Sequence, residues 1–104
     1  MPRPVVIVGG LVRREKLERW RRASNLMIEW VTVDPSAAHA SRRLAQRIRA
    51  GGVLAVVVLD GLLDHASFVP IIAAARQLNI LVYFAGRAGV ARVAQIIAEL
   101  GNGA

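Results

Sequence analysis

The sequence predicts a three-layer α/β sandwich on a parallel sheet, and three observations predict it. Four short runs rich in valine and isoleucine, Val5–Val8, Ile28–Val33, Val53–Leu59 and Ile80–Phe84, are each followed by a segment of helix length. Alternation of that kind is the signature of strands joined by crossover helices. The third run is seven apolar residues without a polar break, as expected of a strand covered on both faces. The apolar content of 55% supplies enough side chains for two such faces.

Each element can be read from its own residues. Val5–Val8 is a short central strand, closed by Gly9-Gly10. A helix follows over about Arg13 to Ser24, with Leu17 and Trp20 as the apolar anchors of one stripe. Glu15 with Arg19, and Glu18 with Arg22, stand at i and i+4 with the acid first, the favourable order for ion pairs. In the second strand Glu29 interrupts the apolar run, which suits an edge. Asp34-Pro35 then reads as a helix cap followed by proline at the first helical position. That second helix runs to about Arg49 and stops at Gly51-Gly52; Ala37, Ser41, Leu44 and Ile48 line its inner side.

Val53–Leu59 forms the centre of the sheet, and Asp60-Gly61 closes it. A helix ending near Leu78 follows the loop 60–67, with Ser67 as its cap and Pro70 in its first turn. Asn79 can end it in a left-handed conformation. After Ile80–Phe84 and the turn Gly86-Arg87-Ala88-Gly89, a last helix from about Val90 to Leu100 presents Val90, Val93, Ala94 and Ile97 inward. Right-handed crossovers then favour a four-stranded sheet of order 2-1-3-4 with βαβαβαβα topology, Rossmann-like or flavodoxin-like. The first and fourth helices cover one face, the second and third the other. All 104 residues form one domain.

Charge is distributed unevenly. Residues 1–52 hold eleven bases and four acids, while residues 53–104 hold three of each, so the whole net charge of +7 lies in the first half. Thirteen of the fourteen bases are arginine, the side chain suited to forked contact with phosphate or carboxylate. Arginine-favouring codon usage gives the same excess. The second helix has no acid to compensate it. With Arg21 and Arg22 at the end of the first helix, its Arg42, Arg43, Arg47 and Arg49 make a candidate nucleic-acid surface. A plain solvated face is the simpler account. Trp20 is expected in the core and Trp30 on the edge strand, which gives little support to base stacking.

In this topology the residues after each strand gather on one rim, and the crevice lies between the first and third strands. Gly9, Gly10, Arg13, Asp60, His65 and Arg87 are the candidate ligand-binding residues there. Gly9-Gly10 and Gly86–Gly89 each precede a helix, where backbone N–H groups can receive an anion; as glycine turns they need no ligand. Neither is a dinucleotide fingerprint or a Walker loop. Asp60 stands where a receiver domain carries its phosphorylated aspartate, but the acidic pair and lysine of such a site are missing. Asp64, His65 and Ser67 do not make a hydrolytic set, because Ser67 is placed as a cap and the first two are chain neighbours. No catalytic residue and no cofactor is assigned. Two histidines in separate segments and no cysteine give no metal site. No apolar run is long enough to span a bilayer, and Met1–Pro4 lacks a secretory pattern, so a cytoplasmic location is expected.

Val5-Val6-Ile7-Val8-Gly9-Gly10 and the stretch from Val56 to about Ile97 resemble a bacterial family, domain of unknown function 2325, of small Rossmann-type domains. Gly9 and Gly10 match the Gly-Gly that ends the family's first strand, and Asp60 matches the aspartate ending its third. His65 roughly matches the histidine of the following Ser-His pair, with Asp64 in place of the serine, and Arg87 matches an arginine after the fourth strand. Thr32-Val33-Asp34-Pro35-Ser36 stands where members often have His-Asp-Gly-Gly, and Ala73–Ala75 stands where they have a lysine and a cysteine. The resemblance implies the fold and the rim, and no assigned reaction. The expected function is a small non-catalytic module that binds an anionic ligand or a protein partner as a homo-oligomer. Its self-association surface is Ile80–Phe84 with the outer side of Ala73-Ala74-Ala75. Nucleic-acid binding through the arginines is the alternative; a nucleotide-binding protein or enzyme using the rim is a further one.

Overall fold

The computed structural model describes residues 3–10, 13–33, 39–59, 68–86 and 89–102. Its elements follow in the order β1 (Val5–Gly9), α1 (Arg14–Ala23), β2 (Ile28–Thr32), α2 (His39–Arg49), β3 (Ala55–Val58), α3 (Val69–Gln77), β4 (Leu81–Phe84) and α4 (Gly89–Asn102). The strands form one sheet of order β2-β1-β3-β4, parallel throughout. Val5 stands beside Ile28 on one side and Ala55 on the other, and Ala55 beside Leu81. The expected α/β sandwich and strand order are thus the observed ones.

Strand alternation sorts the core into two layers. Val6, Val8, Val56 and Val58 face α2 and α3, where they meet Leu44, Ala45, Ile48, Phe68, Ile71, Ala74 and Ala75. Val5, Ile7, Ala55 and Val57 face α1 and α4, where they meet Leu17, Trp20, Val93, Ile96 and Ile97. β1 and β3 are wholly buried, which explains why their sequences are unbroken runs of apolar residues. In β2 and β4 only Ile28 is buried, because each is an edge.

Two helices end in the same way with different residues. After α2, Gly51 N–H donates to Ile48 O and Gly52 N–H to Arg47 O. After α3, Asn79 N–H donates to Arg76 O and Ile80 N–H to Ala75 O. In both, one residue turns left-handed, Gly51 at φ 82° and Asn79 at φ 55°. That conformation folds the chain back onto the last orphan carbonyls.

Local details depart from the sequence-based expectations. On α4, Ala94 is exposed and Ile96 is buried beside Val93 and Ile97, because a helical stripe runs i, i+3, i+4 and Ala94 falls off it. Position Ala45 joins the inner side of α2. The cap position of α3 is Phe68, whose fully buried ring leaves the helix with no side-chain cap. Ala74 and Ala75 are buried, so only Ala73 of that trio is on the outside. The expected caps Asp34 and Ser67 and the position Ala37 lie outside the described residues.

Candidate functional site

Because β1 and β3 are neighbours, while α1 packs in one layer and α3 in the other, the crevice at a reversal of strand order opens at their carboxyl ends. Its floor is apolar. A Cβ on Gly9 would stand 3.0 Å from Leu59 Cδ1 and 3.2 Å from Trp30 Cζ2. Glycine is therefore fixed at this position by packing, not by turn conformation. Trp30 also donates its indole N–H to Gly10 O at 3.0 Å. Its ring lies parallel to Trp20, with centroids 6.4 Å apart. The two tryptophans thus tie α1, β2 and the end of β1 together.

A side chain on Gly10 would meet none of the described residues within 4 Å. Arg13 is exposed and occupies the cap position of α1, where its side chain makes no capping bond. The first turn of α1 therefore presents N–H groups that no side-chain cap satisfies. At the end of β4, Gly86 (φ 61°) and Gly89 (φ 49°) are left-handed and bring the chain into α4. Gly9, Gly10 and Arg13 share the carboxyl edge of β1. Asp60, His65 and Arg87 lie outside the described residues, as do Asp64 and Ala88. Trp30 and Leu59 belong to this rim although neither was a candidate. Trp30 was accessible to inference, since it alternates with Glu29 and must face the layer that holds Trp20.

The six candidate arginines do not form one surface. α1 and α2 lie on opposite faces of the sheet, which separates Arg21 and Arg22 from the other four. Arg21 donates Nε and Nη2 to Ile28 O at 3.0 and 2.9 Å, and Nη1 to Glu18 at 2.7 Å. The acid of that turn is thus bound at i+3, in place of the expected Arg22 at i+4. Arg47 Nη2 lies 2.6 Å from Glu29 Oε2, a close charge contact outside hydrogen-bond geometry. Arg49 donates to Gln77 Oε1 at 3.2 Å. Arg22, Arg42 and Arg43 are exposed and have no partner among the described residues.

Among the described residues no group of three or more His, Cys, Asp or Glu is placed to hold a metal ion, and no helix is long and apolar enough to cross a membrane. No family model, curated protein or solved structure matches this chain.

Proposed function

We propose that the protein is a small non-catalytic module that binds a phosphate-bearing ligand at the carboxyl ends of β1 and β3 and acts as a homo-oligomer. The observation that carries the ligand reading is the first turn of α1. Its donors have no side-chain cap, Arg13 stands exposed beside them, and no described residue crowds Gly10. Backbone N–H groups aligned at a helix start, with a cation next to them, suit an anion. The apolar floor of Leu59 and Trp30 would take the less polar part of such a ligand. The reading accords with the rim of the bacterial family that the sequence resembles, in which Asp60, His65 and Arg87 would complete the site.

The test is thermal melting and calorimetric titration with inorganic phosphate, pyrophosphate and nucleoside phosphates. A ligand present at one hundred times its Kd stabilises the fold by about 2.7 kcal/mol. The shift is expected to shrink in Arg13→Ala, Asp60→Ala and Arg87→Ala. If no phosphate compound moves the melting point, the reading is wrong.

A second reading has its own observation. Arg42 and Arg43 are adjacent, exposed and unpartnered among the described residues, on a helix without a single acid. They would contact the phosphates of a nucleic acid. With Arg21, Arg47 and Arg49 engaged inside the fold, α2 offers about two phosphate contacts per chain. Such binding weakens with salt along a log–log slope of about −1.8 on duplex DNA.

A further inference from the structure

We infer that two copies of this chain join edge to edge through β4, antiparallel about a two-fold axis normal to the sheet, with Tyr83 opposite Tyr83 of the second copy. This specifies the self-association in the reading above and is independent of the anion site. The two edges of the sheet differ in kind. At β2, Val5 N–H donates to Met27 O and Val33 N–H to Gly9 O, so odd-numbered residues face β1 and Ile28 faces outward. The outward Ile28 carbonyl is closed by the Arg21 fork, and the charged pair Glu29–Arg47 flanks it. A charged edge of this kind resists a new strand.

The edge at β4 is uncovered among the described residues. Ala85 N–H donates to Val58 O, so Tyr83 and Leu81 face β3, and Val82 and Phe84 turn their N–H and C=O groups outward. Neither residue has a partner on that side among the described residues. Six large apolar side chains are exposed among those residues, and four of them, Val69, Leu78, Leu81 and Phe84, belong to α3, β4 and the turn between them. Leu81 is 55% and Phe84 45% exposed. Alternation sets Phe84 on the α3 face and Leu81 on the α4 face, so the exposed apolar side chains flank this edge on both sides of the sheet.

Charge selects a second copy as the occupant. The half of the chain that contains β4 has no net charge, and the excess of +7 lies in the first half, whose helices α1 and α2 pack toward β2. Joining two β4 edges makes one eight-stranded sheet with its two β2 strands about 34 Å apart, seven strand spacings. That is several Debye lengths at physiological salt, so the arginines engaged at β2, Arg21 and Arg47, stay apart while the uncharged β4 runs meet. Symmetry then restricts the register. A two-fold axis normal to the sheet keeps each face on its own side, so opposed residues must share a face. Either Val82 or Tyr83 sits on the axis. Centring on Val82 sets Phe84 opposite Ile80, whose N–H is already given to Ala75 O. Centring on Tyr83 sets Val82 opposite Phe84, and every outward donor and acceptor of both residues is paired.

The chain has no cysteine, so single-cysteine variants report the register. In sedimentation equilibrium and light scattering from about 1 μM to 1 mM, the protein is expected to pass from monomer to dimer, and Phe84→Lys to weaken the dimer at least tenfold. Tyr83→Cys is expected to cross-link on mild oxidation, much faster than Val82→Cys, with circular dichroism confirming that each variant is folded. A monomer throughout that range overturns the inference. A dimer that Phe84→Lys leaves intact, or that cross-links through Val82→Cys in preference, also overturns it while leaving self-association standing. Failure of phosphate to bind, with Tyr83→Cys cross-linked, removes the ligand reading alone.

Discussion

Arg21 and Arg22 are chain neighbours of the same chemistry, and the structure gives them different work. Replacing each by alanine separates the two roles. Arg21 holds the outward carbonyl of Ile28 with two nitrogens and Glu18 with a third. A hydrogen bond from a charged donor contributes about 1.5–3 kcal/mol where water is excluded. The Arg21 side chain is 43% exposed, so water replaces part of what is lost, and about 1–1.5 kcal/mol remains. Its ion pair with Glu18 is exposed on both sides and contributes at most about 1 kcal/mol. Arg22→Ala removes no hydrogen bond or ion pair among the described residues and should stay within about 0.5 kcal/mol of the parent. For a domain near 100 residues, each kcal/mol moves Tm by about 4–8 °C. Arg21→Ala should therefore melt at least ~4 °C lower, and Arg22→Ala within about 3 °C of the parent. Glu18→Ala is the control, since it breaks the ion pair and spares the carbonyl bond. Raising the salt should weaken the Glu18 contribution and leave the rest of the Arg21 effect in place. If Arg21→Ala melts no lower than Arg22→Ala or Glu18→Ala, the fork on Ile28 does not stabilise the protein and the account of the β2 edge fails with it.

Three further outcomes are expected. Gly9→Ala presses a methyl group against Leu59 and Trp30 at 3.0–3.3 Å and should cost about 1–3 kcal/mol, read by urea unfolding, with a change in tryptophan emission as Trp30 shifts. Asn79→Val places a β-branched residue at φ 55° and should cost at least 1–2 kcal/mol, whereas Asn79→Gly should be close to neutral in the same assay. Arg42→Glu with Arg43→Glu should abolish any affinity for duplex DNA measured by anisotropy at low salt while leaving Tm unchanged within a few degrees; retained binding would exclude α2 as the contact surface.

The elements were legible because their punctuation is local. Unbroken valines in Val5–Val8 and Val53–Leu59 identify buried parallel strands, Glu29 marks an edge, Gly51 stands where the second helix was expected to stop, and Asn79 where a left-handed helix end was expected. Contacts made between elements were not legible. Counting four residues on from Glu18 leads to Arg22. Arg21 is drawn to the same carboxylate because its other nitrogens are held by Ile28 O, seven residues away on another element. Grouping six arginines by number likewise ignored the sheet that runs between α1 and α2. At the rim, Gly9 was legible as a small residue at a strand end. The reason it is small, two side chains from β2 and from the end of β3 closing over it, is a tertiary fact. Phe68 is similar. Beside Pro70 it reads as part of a loop, yet it is fully buried beneath α3 and holds that helix to Val56 and Val58.

A basic chain with a short open sheet faces two opposed demands. Its strands need partners along both edges, and its charge disfavours bringing copies together. Two arginines, Arg21 and Arg47, are engaged at one edge. Around β2, guanidinium groups occupy the outward Ile28 carbonyl and the Glu29 carboxylate, so charge guards that edge although the outward peptide groups of Trp30 and Thr32 have no partner among the described residues. Around β4 no charge intervenes between Leu81 and Phe84, and the outward peptide groups of Val82 and Phe84 have no partner among the described residues. Closing both edges with charge would give a monomer, and closing neither would allow open-ended strand addition and fibres. On the inferred β4 pairing, a β2 edge guarded by charge would end the assembly at two. The opposite experiment follows from that asymmetry: Arg21→Ala uncovers Ile28 O and should let chains add beyond the dimer. Light scattering of that variant should then show species larger than two copies at high concentration, while Phe84→Lys added to it should reduce the growth. A strictly dimeric Arg21→Ala would mean that something other than the arginine fork protects β2.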